Sequence, residues 1–68
     1  MSDFQLYFII QCRSSGQFLT EQLGFTQLVT KAGKLYCPHA AFDTAMHNLG
    51  DDYLIFSAYE IVENEGAY

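Results

Sequence analysis

The residues best equipped for chemistry are two thiols and two imidazoles, Cys12, Cys37, His39 and His47. They are the right donor types for zinc, but the chain has no pair of cysteines two to four residues apart and no pair of histidines at finger spacing. A zinc finger is therefore not expected. His39, Asp43 and His47 recur every four residues and would share one stripe of a helix. At a rise of 1.5 Å per residue the two histidines lie about 12 Å apart, so neighbouring pairs but not the whole trio can share an ion. A solvated polar face is the simpler reading. Ser14, Ser15, Ser57, Cys12 and Cys37 are candidate nucleophiles, and none sits in a G-x-S-x-G elbow or a cysteine-protease context. The adjacent carboxylates Asp51 and Asp52 precede an apolar run and read as a turn. Arg13-Ser14-Ser15-Gly16 has the makings of a small backbone nest for phosphate, but no helix follows it, and a hairpin turn explains it as well. The expectation is a protein that is not an enzyme and carries no cofactor or metal, because a core this small can barely enclose a pocket.

Positioning falls to a few short elements. Phe4 to Cys12 alternates with Phe4, Leu6, Phe8, Ile10 and Cys12 on one side and Gln5, Tyr7, Ile9 and Gln11 on the other, the pattern of a strand with something to bury on both faces. The Arg13–Gly16 cluster turns the chain into a short second strand, Gln17 to Thr20. A tight turn or single helical turn is expected over 26–32, ended by Gly33, then an extended piece at 34–37. Pro38 suits the first position of a helix and Gly50 the position just past its end. Between them Phe42, Ala45, Met46 and Leu49, with Ala41 beside them, form a buried stripe, leaving His39, Asp43, Thr44, His47 and Asn48 solvated. Tyr53 to Glu63 reads as the last long strand, and 64–68 as a loose tail.

A β-β-α-β order predicts an α+β domain spanning 1–68. Its small antiparallel sheet would have spatial order 2-1-3, with one helix packed on one face. Tyr7, Ile9, Leu19, Ile55, Tyr59 and Ile61 are then expected on the bare face, an apolar and tyrosine-rich patch suited to a homodimer or a partner.

Composition narrows the classes. A chain of 68 residues, half of them hydrophobic and with six Phe and five Tyr, is too apolar to be disordered and too short for a thick core. The longest apolar run, Leu6 to Ile10, is far short of the roughly 20 residues that cross a bilayer, and the opening Met1-Ser2-Asp3-Phe4 lacks the features of a signal peptide. A cytoplasmic protein with reduced cysteines is expected, Cys12 as a buried thiol. All three basic residues, Arg13, Lys31 and Lys34, precede residue 35, whereas 35–68 hold Asp43, Asp51, Asp52, Glu60, Glu63 and Glu65 with no Lys or Arg, for a net charge of −5 over the chain. Such a chain repels phosphate backbones, so direct binding of nucleic acid is not expected, nor is membrane binding.

The stretches YFIIQCRSSGQFLT (7–20), GFT (24–26), TKAGKLY (30–36), AAFDTAMHNLG (40–50) and YEIVE (59–63) together resemble small uncharacterised proteins of bacteriophages and prophages. The matching positions, among them Gly16, Phe18, Leu19, Gly24, Phe25, Ala32, Tyr36, Ala41, Ala45 and Ile61, are turn and core residues. Phe25 stands where the pattern more often has Trp, and Gly33 and Pro38 interrupt its usual turn and helix start. The resemblance implies a viral setting, in which short acidic proteins bind and block a host enzyme or defence complex. The leading expectation is thus a non-enzymatic inhibitor of a host protein, with Tyr7, Ile9, Tyr59, Asp51, Asp52 and Glu63 as contacts. The rival is a nucleotide sponge at a dimer seam near Arg13, Lys31 and Lys34.

Overall fold

The computed structural model describes residues 2–63. The tail expected at 64–68 lies outside the described residues. The elements are β1 (Ser2–Cys12), β2 (Phe18–Leu19), β3 (Phe25–Thr26), a single 3₁₀ turn at Val29–Lys31, α1 (Pro38–Leu49) and β4 (Tyr53–Glu63). The class is α+β, one antiparallel sheet with one helix, as the sequence predicts. The detail differs. The sheet has four strands in the order β3-β2-β1-β4, not three in the order 2-1-3. The extra edge strand, β3, pairs Phe18 with Thr26 and Leu19 with Phe25. Its two residues are too few to display an alternation.

β1 and β4 form the spine. They pair without a bulge from Ser2↔Glu63 to Cys12↔Tyr53, a long ribbon that sets the molecule's 46 Å length. The turn between β1 and β2 closes on Gly16 at φ +76, which glycine adopts without strain, and Gly16 N–H donates to the Cys12 carbonyl at 2.8 Å. The next turn is tighter. Leu23 takes φ +64, costly for a branched side chain, and is held there by its N–H to the Thr20 carbonyl at 3.0 Å and by Gly24 N–H to Thr20 Oγ1 at 3.0 Å. Gly33 then passes so close to this turn that a Cβ on it would stand 2.8 Å from the Glu21 nitrogen. That approach lets Gly33 N–H reach the Leu19 carbonyl at 2.9 Å and aims Leu35 at β1, where it exchanges backbone hydrogen bonds of 2.7 and 2.9 Å with Phe8.

α1 begins and ends as the sequence predicts, with Pro38 in its first turn, no side-chain cap from Cys37, and Gly50 at φ +64 donating to the Met46 carbonyl. Its buried stripe is rotated from the expected one. Ala41 and Ala45 are completely buried, whereas Phe42 and Met46 remain 46% and 49% exposed. Two small residues at i and i+4 let the helix backbone approach the sheet closely, which pushes the larger side chains to the flank. Phe42 meets Tyr53 of β4 edge-on, ring centres 6.1 Å apart. The core is correspondingly thin. Ile10, 1% exposed, Leu19 and Ala45 form its centre, with Leu35, Leu49, Tyr53 and Ile55 partly buried around them.

Candidate interaction surfaces

Directly paired residues of antiparallel strands point to the same face. Because Ile10 is paired with Ile55 and Leu6 with Tyr59, the face under α1 carries Phe4, Leu6, Phe8, Ile10 and Cys12 from β1 with Tyr53, Ile55, Ser57, Tyr59 and Ile61 from β4. This corrects the expected grouping. Leu19 and Ile55 belong to the helix-covered core. Tyr59 and Ile61 share their side of the sheet with the helix and not with Tyr7 and Ile9. Both faces of each long strand are apolar, so nothing in the pattern fixes which half of β4 matches which half of β1. The helix covers only the end of this face near Cys12 and Tyr53; at the other end Phe4, Tyr59 and Ile61 are wide open, Tyr59 at 69% and Ile61 at 64%.

The opposite face has no helix. It carries Gln5, Tyr7, Ile9 and Gln11 with Leu54, Phe56, Ala58, Glu60 and Val62, of which Leu54, Phe56 and Val62 are exposed and Tyr7 and Ile9 half-buried. Tyr7 is sheltered by a polar cluster that reaches over the edge of β1. Lys34 Nζ lies 4.9 Å from the centre of the Tyr7 ring and 2.7 Å from Glu60 Oε1, while the Tyr36 hydroxyl donates to Glu60 Oε2 at 2.8 Å. The Lys34 ammonium, and after it the Tyr36 hydroxyl, hold the Glu60 carboxyl below its ordinary value. The same bonds to Glu60 hold Lys34 and Tyr36 above theirs. Glu60 is thus neutralised from just outside the acidic half. No spacing links positions 34, 36 and 60, and only the Leu35–Phe8 bridge brings them together.

The remaining acidic site residues divide. Asp52 is tied to the first hairpin, with Ser14 Oγ donating to Asp52 Oδ2 at 2.6 Å and the Cys12 thiol to the same oxygen at 3.4 Å. The Ser14 hydroxyl, with the Cys12 thiol adding to it, keeps the Asp52 carboxyl below its usual value. Ser14 has a single hydroxyl proton, and 2.6 Å to the carboxylate against 3.5 Å to Cys12 Sγ assigns it to Asp52. The thiol is therefore a donor to Asp52 here. This trio latches the β1–β2 turn to the start of β4. Asp51 is exposed; Glu63 ends β4, and its side chain is outside the described part.

The other chemical candidates stay apart. His39 and Asp43 sit 3.3 Å apart on the exposed side of α1, while His47 Nδ1 lies 3.2 Å from the Asp43 carbonyl. Among the described residues no group of three or more His, Cys, Asp or Glu is placed to hold a metal ion, and both cysteines are free thiols, Cys12 buried and Cys37 exposed. The cations proposed for a nucleotide seam have these partners within one chain. Arg13 bonds the Tyr53 carbonyl at 3.4 Å, whereas Lys31 and Lys34 share a shallow hollow with Glu21. A cleft of about 290 Å³ opens between Leu23, Thr44 and a floor of Ile10, Leu19 and Leu35. Among the described residues no helix is long and apolar enough to cross a membrane. Set against known protein families, curated proteins and solved structures, the chain matches none.

Proposed function

We propose that this chain is a non-enzymatic phage protein that docks on a host protein and inhibits it, using the helix-free face of its sheet. One observation carries the reading: Ile9, Leu54, Phe56 and Ala58 lie contiguous on a face that no described element covers, bordered by a polar rim made by Lys34, Tyr36 and Glu60. An apolar centre with a polar rim, and a tyrosine at the boundary, is the anatomy of a protein-binding patch. The acidic C-terminal half then serves to steer a basic partner. Tyr7 and Ile9 keep the contact role assigned from sequence; Phe56 and Leu54 join them, and Tyr59 leaves this patch for the other face.

The test is capture from a bacterial host lysate with the wild-type chain and with Phe56→Asp, followed by mass spectrometry. Phe56 is exposed, so the variant should fold. A host protein retained by the wild type, lost with Phe56→Asp and inhibited by the purified chain is the expected outcome. Equal capture by both chains would remove this face from consideration.

A further inference from the structure

We infer that two copies of this chain pair edge to edge through β4, antiparallel about a two-fold axis at Ser57, and extend the sheet across both molecules. β4 is the terminal strand, and its inner side is fully occupied by β1. Phe8 N–H bonds Leu35 and Cys12 N–H bonds Gln17, so the even-numbered residues of β1 turn their backbone away from β4. By the alternation of antiparallel ladders, their partners Ile55, Ser57, Tyr59 and Ile61 turn theirs outward. Among the described residues no strand meets that row. An exposed edge of 11 residues is normally blunted by lysine, proline or a bulge, and YLIFSAYEIVE in unbroken register has none of these.

The occupant that fits is a second copy, because the strand is complementary to itself. An axis at Ser57 sets Phe56 opposite Ala58, Tyr59 opposite Ile55, Ile61 opposite Tyr53 and Glu60 opposite Leu54, so that over 53–61 apolar side chains meet one another and no carboxylate meets another. Antiparallel pairing about this axis leaves both helices on one face but at opposite ends. The open end of each ribbon, with Tyr59 and Ile61, then lies beside the partner's Phe42 and Met46, which flank the helix on its β4 side and are half exposed. The covered end of one copy thus completes the bare end of the other. A stable dimer takes about 800 Å² from each partner, about one sixth of this chain's 4894 Å² surface. About this axis the paired edge runs over 53–61, about 31 Å at 3.4 Å per residue, and its side chains above and below, with Tyr59 and Ile61 against the partner's Phe42 and Met46, contribute toward that area.

Light scattering on the purified chain should give twice the 7.7 kDa formula mass. Ser57→Pro removes an outward N–H that β1 does not use, and should yield a monomer with an unchanged far-ultraviolet spectrum. Tyr59→Lys, at an exposed position, should do the same and decides the matter if the proline variant does not fold. In a Cys37→Ser background, Ser57→Cys should cross-link two chains on mild oxidation. A monomeric wild type, or a dimer that survives both Tyr59→Lys and a folded Ser57→Pro, would overturn the pairing. Loss of the dimer with Ile9→Lys, on the helix-free face but away from the β4 edge, and not with Tyr59→Lys would place the contact on the helix-free face and overturn it too. The host-capture experiment reads a different face, so either result can fail without the other.

Discussion

Gly33 and Glu60 show how much of this fold is decided by single residues whose importance is invisible locally. Gly33 reads in the sequence as the end of a turn, yet its constraint comes from the Thr20–Glu21 backbone packed against it, 12 residues earlier in the chain. Gly33→Ala should cost about 1–3 kcal/mol in urea titration, because the new Cβ meets backbone that cannot rotate away. A loss as small as that of Gly24→Ala, whose Cβ meets only the Thr20 hydroxyl at 3.4 Å, would show that the turn yields freely. Glu60 reads as one acid among many, and the structure makes it the partner of Lys34 and Tyr36. Since Glu60 is held below its ordinary 4.5 and Asp52 below 3.8, the stability they contribute is complete above those values and is lost as pH falls through the lowered ones. Lys34 and Tyr36 are held above 10.5 and 10.0, so their contribution is complete below those values and is lost as pH rises through the raised ones. Melting temperature against pH should therefore form a plateau with an acid and an alkaline limb. Glu60→Gln should flatten the alkaline limb and leave the part of the acid limb that belongs to Asp52. An unchanged alkaline limb would mean that the cluster does not persist in solution.

At the scale of elements, legibility followed the length of the periodic signal. Pro38 and Gly50 bracket α1 where the sequence places it, and the two long strands read as long apolar stretches between turn signals. Two things escaped. β3 is two residues long, and the pairing of Tyr59 with the helix-side face depends on a strand register that a ribbon apolar on both faces does not specify. The rotation of α1 is a third lesson, since ranking by hydrophobicity favours Phe42 and Met46 at the interface whereas close packing favours Ala41 and Ala45. Ala45→Leu should accordingly destabilise the chain by about 1–3 kcal/mol despite added apolar area, because the helix would have to lift from Ile10. Ile10→Ala should cost about 2–5 kcal/mol, enough to unfold a domain this small, because Ile10 is the one fully buried large side chain among the described residues. Denaturant midpoints measure both. An Ala45→Leu variant as stable as the parent would mean that α1 is not seated closely on the sheet.

For the whole molecule the dominant electrostatic fact is an excess of acid that the fold only partly absorbs. Of the acidic residues after position 35, Glu60 is paired with Lys34, Asp52 accepts from Ser14 and Cys12, and Asp43 lies 3.3 Å from His39. Asp51 is exposed in the turn beside Asp52, and the chain as a whole keeps a net charge of −5. Like charges crowded on so small a body repel one another and favour the unfolded chain. Salt screens this repulsion over a Debye length that shrinks from about 30 Å at 0.01 M to about 8 Å at physiological strength, while the short Lys34–Glu60 contact is weakened much less. The melting temperature should therefore rise with sodium chloride from low to physiological concentration, and Asp51→Lys should raise it at low salt and reduce the dependence. The same charge predicts the opposite trend for association with a basic host protein, whose on-rate should fall as salt rises while the off-rate changes little. Reversing Asp51 and Glu63 to Lys should slow association more than it speeds dissociation, measured by surface plasmon resonance at several salt concentrations. An on-rate independent of salt would leave solubility as the role of the acidic half and confine recognition to the apolar face around Phe56.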